Sequence, residues 1–142
     1  MENNTVTKQS ISAEAAQKTI LNACKKAKEI NLNIAITVID EGGNLKAFHR
    51  MDGAVLIANS ASYKKAFTAL GFGMPTGDTW YGFIKDDPIL MNGASSLKDF
   101  TLLGGGSPIT IDGEIVGAIG VSGGHYKQDE ECVSAALNSL LE

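Results

Sequence analysis

The chain contains a single arginine, Arg50, and has fewer basic than acidic residues. Eleven lysines supply the remaining positive charge, and sixteen acidic residues leave a formal net charge of −4 over 142 residues. Binding to nucleic acid phosphates requires a cluster of basic side chains. A nucleic acid partner is therefore not expected.

Cysteine is also scarce, with only Cys24 and Cys132 present. Their spacing matches no CxxC zinc or redox motif and no CxxCH motif for covalent haem attachment. Both lie in segments with helical periodicity, so buried reduced thiols are expected. No metal site is predicted, because the remaining His, Asp and Glu residues form no HExxH or similar pattern.

Long apolar runs are missing as well. A membrane-spanning helix needs about 20 apolar residues, and the polar start of the chain lacks the character of a signal peptide. A cytoplasmic protein without a membrane partner is expected. The length favours a single domain over residues 1–142, with the polar residues 1–10 flexible.

Glycine, by contrast, is abundant and unevenly placed. Eight of the sixteen glycines fall between Gly104 and Gly124, around two apolar runs joined by Asp112-Gly113. This dipeptide favours a type I′ turn, so the stretch predicts a β-hairpin. The glycines outside the turn predict close approach by a ligand or by a neighbouring subunit.

The rest of the chain alternates between helical and strand periodicity, which predicts an α+β domain with one antiparallel sheet of about five strands flanked by helices. The predicted elements are a helix capped by Ser12, a hairpin of 34–40 and 45–49, a helix over 54–70, a short helix capped by Thr76, a short strand over 100–103, the glycine-rich hairpin and a terminal helix opened by Asp129.

One candidate site is the passage from strand to helix at Phe48 to Ala54. It holds His49, Arg50 and Asp52, and an arginine there can grip a carboxylate with two hydrogen bonds. A capping aspartate and a surface ion pair would explain the same residues without a ligand.

A second candidate is the passage from Ser122 to Asp129, through Gly123, Gly124 and His125. Backbone N–H groups in such a loop can bind an anion. The stretch contains no P-loop and no GxGxxG motif, so nucleotide binding is not supported. Without a GxSxG motif, the grouping of Ser122, His125 and Asp129 is weak support for a catalytic triad.

Lysines on the second predicted helix form a third candidate. Lys64 and Lys65, which follow Tyr63, could meet acidic groups of a ligand, and Lys64 is selected for the site, although paired lysines on a helix are usually a solvated face.

Taken together, the motifs resemble those of the GlcG/HbpS-like family, which includes the C-terminal domain of PduO-type proteins. The resemblance implies a profilin-like α/β sandwich with a five-stranded antiparallel sheet, self-association, and haem binding or degradation in a setting of glycolate, diol or glycerol metabolism. It is carried by VIDEGG (38–43), FHRMDGA (48–54), KAFTA (65–69), GGGSPI (104–109), GAIGVSGG (117–124) and QDE (128–130).

The chain departs from this pattern in one respect. Haem-binding members of the family are associated with a histidine on the first helix as iron ligand, and none occurs between Ser12 and Ile30. If haem binds, Cys24, His49 or His125 takes its place, or the iron is held in a different way.

Three functions follow from these observations. The first is a small-ligand or haem-binding module, in which His49 or His125 meets the iron, Arg50 and Lys64 meet carboxylates, and residues 122–124 line the site. The second is an enzyme acting on a small oxygenated metabolite with His49 or Asp129 as acid or base. The third is a homo-oligomeric assembly or regulatory subunit that has no ligand.

Overall fold

The computed structural model describes residues 2–140 and confirms the predicted order of helix, hairpin, helices, hairpin and helix. Residues 2–10 form no helix or strand and are exposed. The elements are α1 (Ala13–Glu29), β1 (Ala35–Asp40), β2 (Leu45–Arg50), α2 (Ile57–Phe72), α3 (Asp78–Ile84), α4 (Pro88–Gly93), a 3₁₀ turn (Ala94–Ser96), β3 (Gly106–Ile111), β4 (Glu114–Ser122) and α5 (Tyr126–Leu140).

The strands form one antiparallel sheet in the order β2-β1-β4-β3. The two hairpins therefore lie side by side, with β1 and β4 in the centre. The turn between β3 and β4 has φ values of 51° at Asp112 and 81° at Gly113, as a type I′ turn requires.

The prediction of five strands is wrong, because the described residues form four. Segment 100–103 directs its backbone groups away from the sheet. The Thr101 N–H donates to Thr68 Oγ1 (2.9 Å), and the Leu102 carbonyl accepts from the Gly77 N–H (2.8 Å). These bonds tie the segment to α2 and to the start of α3.

The helices divide between the two faces of the sheet. Helices α1 and α5 pack together over one face, where the larger core lies, and α2 covers the other. Cys24 and Cys132 are both free and buried in the larger core, as predicted.

Helix α2 lies unusually close to the sheet because glycines face it. A methyl group on Gly120 would lie 1.9 Å from the Ser62 carbonyl oxygen, and one on Gly106 would lie 2.2 Å from the Lys65 carbonyl oxygen. The helix is further fixed by a buried hydrogen bond of 2.8 Å between the Ser62 and Thr37 hydroxyls. The close backbone contact that the glycines predicted is therefore made by this chain itself.

Helix α3 is attached to α2 through aromatic packing. The Trp80 ring is buried and stacks on Phe72, with ring centroids 4.2 Å apart. Gly77, rather than the predicted Thr76, caps the helix, since the Thr76 hydroxyl instead accepts from the Gly106 N–H (2.9 Å). Within residues 2–140, no helix combines the length and apolar character that crossing a membrane demands.

Candidate functional site

A lysine and an aspartate form an ion pair in the interior, at the point where β4 leads into α5. Lys65 Nζ donates to Asp129 Oδ2 (3.0 Å) and to the Val121 carbonyl (2.9 Å). The two side chains are 2% and 1% exposed. The second carboxylate oxygen, Asp129 Oδ1, accepts from the Gly124 N–H (3.0 Å). The pair thereby joins α2, the end of β4 and the first turn of α5.

Burial dominates the electrostatics of this pair. It lowers the pKa of Lys65 and raises the pKa of Asp129, because a charge removed from water loses its hydration. The attraction and hydrogen bond between the two side chains oppose both shifts. Neither group reaches solvent, so this pair holds the loops in place and has no open face for a ligand.

The glycine-rich loops close over the ion pair. A methyl group on Gly105 would lie 2.5 Å from the Val121 carbonyl oxygen and 3.1 Å from Lys65 Nζ. One on Gly123 would lie 2.4 Å from the Asn33 carbonyl oxygen. Both positions therefore lack side chains because backbone of the same chain occupies the space.

His125 caps helix α5. Its ring nitrogen Nδ1 accepts from the Lys127 backbone N–H (3.1 Å), while the His125 backbone N–H donates to Gln128 Oε1 (3.0 Å). This reciprocal pattern is that of a capping box. The ring also packs on Tyr126, with centroids 4.3 Å apart. The ring nitrogen Nδ1 of His125 is therefore already used as a hydrogen-bond acceptor for the helix.

His49 and Arg50 lie on β2, one of the two edge strands of the sheet. His49 is in register with Ile36 and Arg50 with Ala35. Successive residues of a strand face opposite sides, so His49 is on the face that carries α1 and α5, and Arg50 is on the face that carries α2. Both are exposed.

The predicted site residues are therefore only partly brought together. Ser122 also pairs with Ala35, so it lies in the same row as Arg50 but two strands away, at about 10 Å. Asp129 contacts Gly124, next to Gly123 and His125. The edge residues His49 and Arg50 are separated from this group by strand β1.

From the pair of lysines on α2, sequence reasoning selected Lys64 for the site and not Lys65. Lys64 is exposed on α2, whereas Lys65 is one of the largest fully buried side chains. The signal was available in the helical spacing, since Lys65 falls on the same side as the small residues Ala58, Ser62 and Ala69. A lysine on the buried side of a helix requires an internal acidic partner, and this partner is Asp129.

The donors that could hold a haem iron can be compared directly. Cys24 is 8% exposed, and burial raises the pKa of its thiol, so little thiolate is available. His125 is engaged in capping. His49 is exposed, and within residues 2–140 its ring makes no hydrogen bond. Its imidazole therefore fits an iron ligand best.

These features define a class of protein: an α+β domain with a four-stranded antiparallel sheet, helices on both faces and glycine loops closed over an internal ion pair. The chain belongs to the HbpS-like family, since the family model described as haem degrading protein HbpS-like matches residues 11–138.

Two relatives are similar over most of their length. An uncharacterised 15.0 kDa protein of the dhaT-dhaS intergenic region of Citrobacter freundii is 31% identical over 132 residues, covering 93% of each chain. Protein GlcG of Escherichia coli K12 is 35% identical over 120 residues, covering 82% of this chain and 84% of GlcG.

Solved structures agree on the fold. A double mutant of HbpS of Streptomyces reticuli is 27% identical, with a TM-score of 0.87 over 99% of this chain and 93% of that chain. A PduOC–haem complex is 23% identical, with a TM-score of 0.83 over 92% of this chain and 94% of that chain. The latter comparison concerns the fold alone.

Proposed function

We propose that the protein is a small-ligand-binding module that takes haem at the exposed edge of the sheet, with His49 as the iron ligand. The observation that carries this proposal is the exposed His49 imidazole, which has no hydrogen-bond partner among the described residues. Haem would supply a redox-active iron at this surface. The contribution of the chain is to hold the iron and the propionates.

Arg50 is the propionate partner in this proposal. It follows His49 on the edge strand, where side chains from both faces border the same open edge. Its guanidinium can bind a carboxylate through two hydrogen bonds. Lys64, which is exposed on α2, is the second cation of this proposal.

The family supports haem rather than another planar ligand. Its description names haem degradation, and a protein of the same fold is known as a haem complex. The proposal includes the setting of glycolate, diol or glycerol metabolism that the family resemblance implies.

Haem titration of the single-histidine variants tests this assignment. The change His49→Ala is expected to weaken binding about tenfold or more, because the iron loses its ligand, and to remove the Soret shift. The change His125→Ala is the matched control and is expected to leave both the affinity and the spectrum unchanged. Equal spectra for the native protein and His49→Ala would rule out His49 as the ligand.

We also propose that the protein is a homo-oligomer. Val55, Leu56 and Ile57 form three consecutive apolar residues before and at the start of α2, with 54%, 82% and 69% of their surfaces exposed. Exposed apolar patches of this kind are typical of interfaces between proteins. A second copy that covers this segment would also lie near the edge strand.

Light scattering during gel filtration tests self-association. The expected mass is a multiple of 14.9 kDa, and Leu56→Glu is expected to shift the protein to the monomer because burying a charge in the interface is costly. Lys64→Glu, an exposed change within α2, is the control. A native protein of single-chain mass would refute the proposal.

A further inference from the structure

A cleft separate from the edge strand opens between the first turn of α3, segment 102–104 and the start of α5. Its volume is about 160 Å³. Cavities of roughly this size hold one benzene ring. The walls are mainly apolar or aromatic, which is typical of small-molecule sites. The lining residues are Gly77, Asp78, Tyr81, Leu102, Leu103, Gly104 and Tyr126.

Asp78, one of the lining residues, begins a charged rim that continues into the neighbouring side chains of Lys127 and Glu130. Lys127 Nζ donates to Asp78 Oδ2 and lies 3.9 Å from Glu130 Oε2, too far for a hydrogen bond. It also lies 5.6 Å from the centre of the Tyr126 ring. An ammonium group of the protein therefore occupies the space between two carboxylates and an aromatic ring.

This ion pair is easily replaced. The Lys127 and Asp78 side chains are 50% and 75% exposed. Exposed pairs of this kind contribute little to stability, because water screens them and two long side chains must be ordered. An ammonium group from another molecule can take the place of Lys127 at small cost.

Glu130 lacks a donor that such a molecule could provide. Its Oε1 is buried and has no hydrogen-bond partner within the described part of the chain. This oxygen lies against Gly104 and Gly77, where added methyl groups would be 2.0 Å and 2.7 Å from it. The same two glycines line the cleft. Oε1 therefore has no donor, and Oε2 lies beyond hydrogen-bond distance of Lys127, so an ammonium that reaches Oε2 would make a charge-assisted hydrogen bond that Lys127 does not make.

We propose that this cleft binds a small organic ammonium compound. The apolar part of the ligand lies between Tyr81, Leu102 and Tyr126, and its ammonium replaces that of Lys127 between Asp78 and Glu130. Three N–H donors suit two carboxylates, and the negative rim disfavours anions. The site does not depend on haem binding at His49.

The probe for the test is 2-phenylethylammonium, whose ring matches the size of the cleft. The neutral 2-phenylethanol and the anionic 3-phenylpropanoate are its matched controls. In a titration followed by NMR of the backbone amides, only the ammonium compound is expected to bind, with shifts at residues 77, 104 and 126. Equal shifts with the alcohol would overturn the proposal, because the carboxylates would then have no role.

Variants separate the contributions of the charged groups. Glu130→Gln is expected to weaken binding of 2-phenylethylammonium about tenfold, because a charge-assisted hydrogen bond is lost. Lys127→Ala is expected to strengthen it about threefold, because the competing ammonium is removed. Glu131→Gln, an exposed neighbour on α5, is the control and leaves the affinity unchanged. Each variant is first confirmed as folded by its melting temperature. Unchanged binding in Glu130→Gln, or weaker binding in Lys127→Ala, would refute the assignment.

Discussion

Replacing Lys65 by methionine is expected to lower the free energy of unfolding by about 3–5 kcal/mol. Methionine fills much of the same space but leaves the Asp129 carboxylate buried without its cation. It also removes the donor to the Val121 carbonyl, so two internal acceptors lose a partner. For a chain of this length the melting temperature should fall by about 10 °C or more.

The neighbouring lysine provides the matched control for this measurement. Lys64→Met changes the same residue type one position away on an exposed surface, and should change stability by less than about 0.5 kcal/mol. The double variant Lys65→Met with Asp129→Leu is expected to recover about half of the loss, because no isolated charge remains. Equal stability of Lys65→Met and Lys64→Met would show that the ion pair does not hold the loops.

The change Gly120→Ala is expected to destabilise the protein by at least about 3 kcal/mol. The added methyl group would lie 1.9 Å from the Ser62 carbonyl oxygen and 2.7 Å from the Ala66 nitrogen. Both atoms belong to the α2 backbone, so the whole helix must move away from the sheet. Chemical denaturation measures the loss directly.

A second glycine of the chain should respond in the opposite direction. Gly71 lies within α2, and a methyl group there meets no atom within 4 Å. Gly71→Ala is therefore expected to stabilise the protein by about 0.5–1 kcal/mol, since alanine is the better helix former. If both variants were equally destabilised, contact with α2 would not be the reason for glycine at position 120.

The local elements were predictable because their signals are local. The Ser12 cap is confirmed by its hydrogen bond to the Ala15 N–H (3.0 Å), and the Asp112-Gly113 turn by two positive φ values. The fifth strand was wrong for a non-local reason. Segment 100–103 has strand-like residues, but its hydrogen bonds go to Thr68 and Gly77, and no sequence pattern specifies such partners.

The candidate site was predictable only in part. Residue types at the ends of β2 and β4 pointed to His49, Arg50, Ser122 and Asp129, and all of them lie at strand or helix ends. The sheet order then separated the first two from Asp129. Glu130 was not selected as a site residue because a carboxylate at the start of a helix is already explained by its favourable interaction with the helix dipole.

By itself the sequence determined the family, the order of the elements and the two hairpin turns, because periodicity, caps and turn residues act over a few neighbouring positions. The tertiary structure decided the structural roles of Lys65 and of the glycines between Gly104 and Gly124. Gly106 and Gly120 admit the backbone of α2, Gly123 admits the backbone of Asn33, and Lys65 meets Asp129, which is 64 residues away. Contacts over such distances depend on how the sheet and helices pack, and packing is set by the whole chain at once.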